Sequence, residues 1–392
     1  MMNDWITYII IVLVVAVSFL FSPPPQEGAK FCGFYFKLTS FAGFEVNCDA
    51  SGFVRLAKHP YQLLDEGEAR QSRPLYILIS SFIGYMIYLP FNWLPIGKNE
   101  LFYLGYILLN AVSLILGIHL FRFMALHWGN SSKAKSLEIP FMIMLICTPV
   151  VRSFFWTAHQ QMFYLLGPAI ILYTMYYVAI TRIDFDKLLI ISFLGGIGAL
   201  MYGTFFLLLP GIVIADWINR FSKINALKYF IITIIFGFPI LAYIYSIILI
   251  NGKFYSHEVE GFRQFIWIIE TWNESPKVFL DQLIIHTQSF LSTWTNILPW
   301  VILALTFLVR YLSYNQHKIP LLLSGSCILL FFLFFWLLGF YGLRLTYTFY
   351  PFMLLWIWIS LSYSHFKYLK TSIWLTTITW WVFQVIRPNV FF

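Results

Sequence analysis

The sequence predicts an all-α polytopic membrane protein, and three observations predict it. Hydrophobic residues fill 60% of the 392 positions. Charged residues fill only 11%, less than half of the roughly 25% usual in soluble globular chains. The apolar residues are gathered into runs of about 17–25, the length a helix needs to cross the hydrocarbon core of a bilayer. This composition excludes a soluble enzyme, a disordered protein and a nucleic-acid-binding domain. The excess of 25 basic over 17 acidic residues belongs instead to cytoplasmic loops. The aromatic residues, 21% of the chain, pack between membrane helices and sit at the headgroup level.

The first apolar run, 5–21, has no basic n-region and no small-residue cleavage site, so it reads as a retained helix. Pro23, Pro24 and Pro25 end it. Crossings follow at 101–121, 139–151, 161–180, 229–250, 288–310, 320–341, 345–363 and 371–386. The stretch 188–218 is interrupted by Gly195, Gly196, Gly198, Gly203 and Pro210, and splits into two short crossings that meet near Tyr202 and Gly203. Cys147 and Cys327 lie in apolar runs and read as packing residues. Cys32 and Cys48 share one polar loop, and would pair if it faces an oxidising compartment.

Loop charge sets the orientation. The loops 122–138, 181–187, 216–228, 310–319 and 364–370 hold twelve Lys or Arg against four acids. The loops 22–74 and 251–287 hold nine against eleven. By the positive-inside rule the first group is cytoplasmic and the second is outside. An odd number of crossings must then separate 22–74 from 122–138. The run 101–121 supplies it, which leaves 74–95, with Pro74, Gly84, Pro90 and Pro95, as an interfacial or re-entrant segment. The expected fold is one integral membrane domain over 1–392, with about eleven transmembrane helices and interface helices in the first outer loop.

That loop, 22–74, carries six acidic and six basic residues, over a quarter of all the charge in the chain. Phe53, Leu56 and Ala57 suit a short amphipathic helix beginning after Asp49. Asp49 could serve as its N-cap or as part of a polar site at the membrane surface. Asp65 and Glu66 are adjacent acids in the same loop. The stretch Ser72-Arg73-Pro74-Leu75-Tyr76 opens the next apolar run. Further on, Arg344 stands between two apolar runs, where an ionisable residue has either a task or a route to the headgroups. The outer turn Arg152–Gln161 contains His159 and Gln160. The second outer loop contains His257 and Glu258, which could equally be solvated; their spacing is not that of a metal site.

On Asp49…Arg55-Leu56-Ala57 and the Ser72–Tyr76 stretch, the sequence resembles the GT-C superfamily of integral membrane glycosyltransferases. The branch it is similar to contains protein mannosyltransferases and aminoarabinose transferases. The resemblance implies a sugar donor carried on polyprenyl phosphate, and a glycan, lipid or protein acceptor, among membrane lipids. It implies a bacterial inner (plasma) membrane protein with its active site on the outer face. The catalytic acid falls on Asp49, with Asp65 or Glu66 as alternatives. Arg344, Arg73, Arg55 and Tyr347 fall at the donor phosphate. His159, Gln160, His257 and Glu258 fall at the sugar or acceptor. Many members carry two adjacent acids in this loop, but here Ala50 follows Asp49. That disfavours a paired-carboxylate metal site; no metal ligand is assigned, and a divalent ion is the cofactor left open.

Two other classes compete: a transporter or flippase of a lipid-linked solute, and a lipid-linked glycan polymerase or ligase. The near absence of charge within the apolar runs counts against ion-coupled transport. No GxxxxGK[S/T] or GxGxxG motif is present, which argues against nucleotide-driven transport and against a nucleotide-sugar donor.

Overall fold

The structure is a computed structural model that describes residues 2–24, 33–181, 183–220, 226–312, 318–339, 342–364 and 367–387. It is a bundle of helices with one small sheet. Helix α1 (Met2–Ser18) leads to a hairpin of β1 (Gly33–Lys37) and β2 (Gly43–Asn47), then α2 (Ala50–Lys58), α3 (Pro74–Phe91) and α4 (Lys98–Trp128). The short helices α5 (Ser131–Ser136), α6 (Glu138–Ile146) and α7 (Pro149–Phe154) precede α8 (Phe163–Thr181), α9 (Phe185–Ala199), α10 (Leu208–Arg220) and α11 (Ala226–Asn251). The second long loop folds as α12 (His257–Glu260), α13 (Ile266–Glu274) and the start of α14 (Pro276–Ser292). Then come α15 (Leu298–Leu312), α16 (Lys318–Leu338), α17 (Leu343–Thr346), α18 (Tyr350–Ser362) and α19 (Leu369–Ile386).

Among the described residues, seven helices are long and apolar enough to cross a membrane, or eight if one bent pair is a single span. That is fewer than the eleven or so expected, because several apolar runs are broken. Pro149 lacks the amide that would carry α6 onward, so the run 139–151 divides at Cys147. The run 288–310 bends by 80° between Asn296 and Leu298, just ahead of Pro299. The run 188–218 breaks at Gly203–Leu207, where it was expected to. Its glycines serve close packing: a Cβ on Gly196 would lie 2.0 Å from the Phe236 carbonyl of α11.

One local expectation is corrected. Residues 33–47 of the first loop form an antiparallel hairpin, with Tyr35 opposite Glu45 and Phe36 opposite Phe44, where only helices were expected. Aromatic residues in Phe34-Tyr35-Phe36 favour a strand. The stretch 74–91, expected to be interfacial or re-entrant, is one unbroken helix. Pro74 takes the first helical position, which needs no amide donor, and Pro90 falls in the last turn. This helix lies antiparallel along the start of α4. Tyr76 meets Tyr106, Tyr85 meets Phe102, and Gly84 and Gly105 let the backbones approach.

All thirteen residues of α18 are buried, as a helix apolar on every side should be. The end of the bundle that carries the basic loops is tied by Arg122, which reaches Glu138 at 2.8 Å and Asp4 at 3.3 Å, and by the buried pair Lys228–Asp216 at 2.6 Å. The opposite end holds the first loop and α12. Cys147 and Cys327 are buried free thiols. The expected pairing of Cys32 with Cys48 falls partly outside the described residues.

Candidate active site

The site is built on α2, the head of α3 and the turn between α7 and α8. Asp49 occupies the N-cap position of α2, yet its side chain makes no capping bond. It turns to Arg70, whose Nη2 donates to Oδ1 at 2.9 Å. Its other oxygen lies 4.0 Å from His159 Nε2. The two partners differ in access: the Asp49 side chain is 48% exposed and that of His159 only 6%.

The turn carrying His159 is held from inside the bundle. Asn110 of α4 donates from its amide nitrogen to the carbonyls of Phe155 and Thr157, both at 3.0 Å, and of Phe154 at 3.3 Å. Tyr103 donates to the Trp156 carbonyl. Thr157 Oγ1 in turn accepts from the Asn47 amide at 3.0 Å, and the Asn47 side chain accepts the Asp49 amide at 2.9 Å. One continuous chain of bonds therefore fixes both Asp49 and His159 from a membrane helix. Asn110→Leu should leave these carbonyls without their donor. Unsatisfied buried groups cost about 1–3 kcal/mol each, so the unfolding temperature of the purified chain should fall by several degrees relative to wild type.

His159 is held neutral. Burial, and then the guanidinium groups of Arg344, Arg73 and Arg70, push its imidazole well below the usual histidine range. Its Nδ1 accepts from the Gln161 amide at 3.2 Å, so the proton sits on Nε2, the nitrogen facing Asp49. Three arginines thus converge on one buried ring. Arg73 Nη2 meets Glu258 Oε1 at 2.5 Å, and Ser72 donates to Glu258 Oε2 at 2.7 Å. The amide oxygen of Gln160, once that amide is turned to present it, accepts from Arg73 Nη1 and from Nε at 3.1 Å. Arg344 lies over the Phe154 ring at 5.7 Å, within electrostatic reach of Arg73 and Asp49, and has no ion pair among the described residues.

The structure therefore gathers Asp49, Arg73, His159, Gln160, Glu258 and Arg344 of the residues singled out from sequence. It leaves others apart. Arg55 is bound to Gln62 at 2.7 Å and Glu68 at 2.6 Å on an exposed face. Asp65 is exposed, and exposed Glu66 pairs with Lys253 at 2.7 Å. His257 bonds Tyr255 at 3.1 Å. Tyr347 is buried beside Arg387. Arg70 was missed. Backed by Glu68 at 3.5 Å, it crosses the Phe53 ring at 4.8 Å and fills the space over Gly52, where a Cβ would lie 2.7 Å from its Cζ.

The donor set does not fit a divalent cation. Among the described residues no three His, Cys, Asp or Glu side chains gather as metal ligands, and the Asp49 carboxylate is bound by the Arg70 guanidinium.

No protein-family model matches the sequence, and no curated protein does. Among solved structures, the crystal structure of ArnT from Cupriavidus metallidurans bound to undecaprenyl phosphate is similar, with a TM-score of 0.53 and 12% identity. The match covers 95% of this chain and 62% of that one, so the chain spans less than two thirds of the ArnT length. The likeness is one of fold: the chain shares the helical membrane architecture of that structure.

Proposed function

We propose that the chain is a glycosyltransferase that moves a sugar from a polyprenyl-phosphate-linked donor to an acceptor hydroxyl on a glycan, lipid or protein. The site would face the outer side of a bacterial inner membrane, because the two less basic loops meet there. One observation carries this reading: an accessible carboxylate, Asp49, is held by Arg70 beside His159, the buried ring on which the charges of Arg344, Arg73 and Arg70 converge, at the loop end of a GT-C fold. The undecaprenyl phosphate bound in the ArnT structure supports a polyprenyl-phosphate ligand here.

Asp49 takes the proton from the acceptor hydroxyl as general base. The acceptor oxygen bonds to the anomeric carbon of the sugar. The bond from that carbon to the phosphate oxygen breaks, and its electron pair stays on the phosphate. Arg344 and Arg73 meet the charge that develops there, because a planar guanidinium grips two phosphate oxygens at once. Arg70 orients Asp49. The Nε2 proton of His159 and the amide of Gln160 are placed to bind sugar hydroxyls.

The test is a deletion strain, complemented with wild type, whose surface glycans and lipid-linked sugars are compared by mass spectrometry. Loss of one sugar on deletion, restored by wild type with return of its lipid-linked precursor to normal levels, supports the proposal. Glycans and lipid-linked sugars unchanged by deletion would refute it.

A further inference from the structure

The anion seat at the head of α3 already holds an anion from the chain itself. Ser72 and Arg73 grip both oxygens of the Glu258 carboxylate, at 2.7 and 2.5 Å. A hydroxyl and a guanidinium are also suitable donors for two oxygens of a phosphate. Glu258 reaches them from 186 positions further along the chain, on the four-residue helix α12. The strap that bears it is bracketed by left-handed backbone. Gly252 precedes it at φ +75, and Arg263 and Phe265 follow at φ 54 and 61. Non-glycine residues held in that region store strain and cluster where segments switch. The other ties of the strap to the first loop are polar: Lys253 to Glu66, Asn251 to the Leu64 carbonyl, and the Tyr255 amide to Gln71. The exposed Lys253–Glu66 tie contributes little, and lifting the strap costs the half-buried Tyr255–Gln71 bond and the Phe254–Tyr243 ring contact.

We propose that Glu258 is an internal placeholder in the phosphate seat, displaced by the lipid phosphate that transfer releases. The inference rests on the function proposed above. The charges decide the order of events. Arg70 is matched by Asp49 and Arg73 by Glu258. Arg344 forms no ion pair among the described residues, and the Asp49 charge that reaches it is already paired with Arg70. A donor phosphodiester brings one negative charge, which Arg344 balances. Cleavage leaves the electron pair on the phosphate oxygen, and the resulting monoester carries close to two charges, its second pKa being about 6. The second charge needs a second cation. Arg73 supplies it only when Glu258 lets go. By competing for Arg73, Glu258 weakens the hold on product more than on donor and speeds product release.

The experiment measures binding of two probes, farnesyl phosphate and its methyl diester, to the full chain purified in detergent. Glu258→Gln keeps the shape and removes the charge. It should tighten the monoester by about 10-fold, one like charge beside a half-buried phosphate being removed, and shift the diester by no more than about 2-fold. Glu258→Ala should act in the same direction, and elution profile and melting temperature check that each variant is folded. If the monoester binds both variants no more tightly than wild type, while Arg344→Met still abolishes binding, Glu258 merely positions Arg73 and the placeholder is wrong. If neither probe binds wild type, the lipid-phosphate reading itself fails, and this inference with it.

Discussion

On the proposed function, Asp49→Asn should lower sugar transfer by about 10²–10⁴-fold, the range that a positioned general base supplies, and should leave binding of a prenyl phosphate intact or slightly tighter. The two effects separate because the substitution is nearly isosteric. The new amide oxygen still accepts from Arg70, which now bonds Oδ1 at 2.9 Å, so the turn keeps its form. What is lost is the proton acceptor, together with one negative charge beside the cation cluster. Lipid-linked donor should accumulate in the complemented deletion strain while the glycan lacks the sugar. Asp65→Asn and Glu66→Gln should transfer within about 3-fold of wild type, since surface ion pairs such as Glu66 with Lys253 contribute little. An Asp49→Asn variant that restores the glycan fully, at equal expression, removes Asp49 from the reaction. Normal transfer in Asp49→Asn with loss in Asp65→Asn would move the base elsewhere in the loop.

How much of this was legible in the sequence depends on what each signal reports. Composition and run length report burial in a membrane, and gave the fold class. The charge concentrated in 22–74 marked the loop where Asp49 and Arg73 stand. Phe53, Leu56 and Ala57 placed α2, and the glycines near 203 placed a break that the structure has. Hydropathy does not report partners, however. Arg70 looked like any solvated charge, and becomes part of the site only because Gly52 leaves room for it and Phe53 offers a ring. Asn110 did leave a trace, as a lone amide in an otherwise apolar run. A buried amide needs partners, and those partners, the carbonyls of the His159 turn, are 44 to 47 positions away. Glu258 is the same case at longer range. Its carboxylate reads as loop charge until the fold sets it on Ser72 and Arg73. The helix count matches only roughly, in part for a related reason: run length measures apolar extent, and prolines 149 and 299 cut that extent into pieces.

Arg344→Met should move stability and activity in opposite directions. Arg344 opens the helical stretch Arg344–Ser362, half-buried, with the Phe154 ring beneath it and no ion pair among the described residues. Holding an unmatched cation away from water is costly. A methionine, which matches the aliphatic stem of the arginine, removes that cost, so the ligand-free variant should melt at the same temperature as wild type or above it. Transfer should fall by about 30-fold to several thousand-fold, because truncating one partner of a desolvated charge pair costs about 2–5 kcal/mol. The rise in melting temperature that farnesyl phosphate gives to wild type should vanish as well, since a ligand stabilises only through its affinity for the folded state. Arg344→Lys should recover part of the binding and less of the rate, because an ammonium is a point charge and cannot grip two phosphate oxygens in one plane. A purely structural arginine predicts the reverse pattern: a lower melting temperature for the empty variant, and a loss of activity that tracks the loss of folded protein. Melting curves with and without farnesyl phosphate, set beside the transfer rate of the same preparations, distinguish the two.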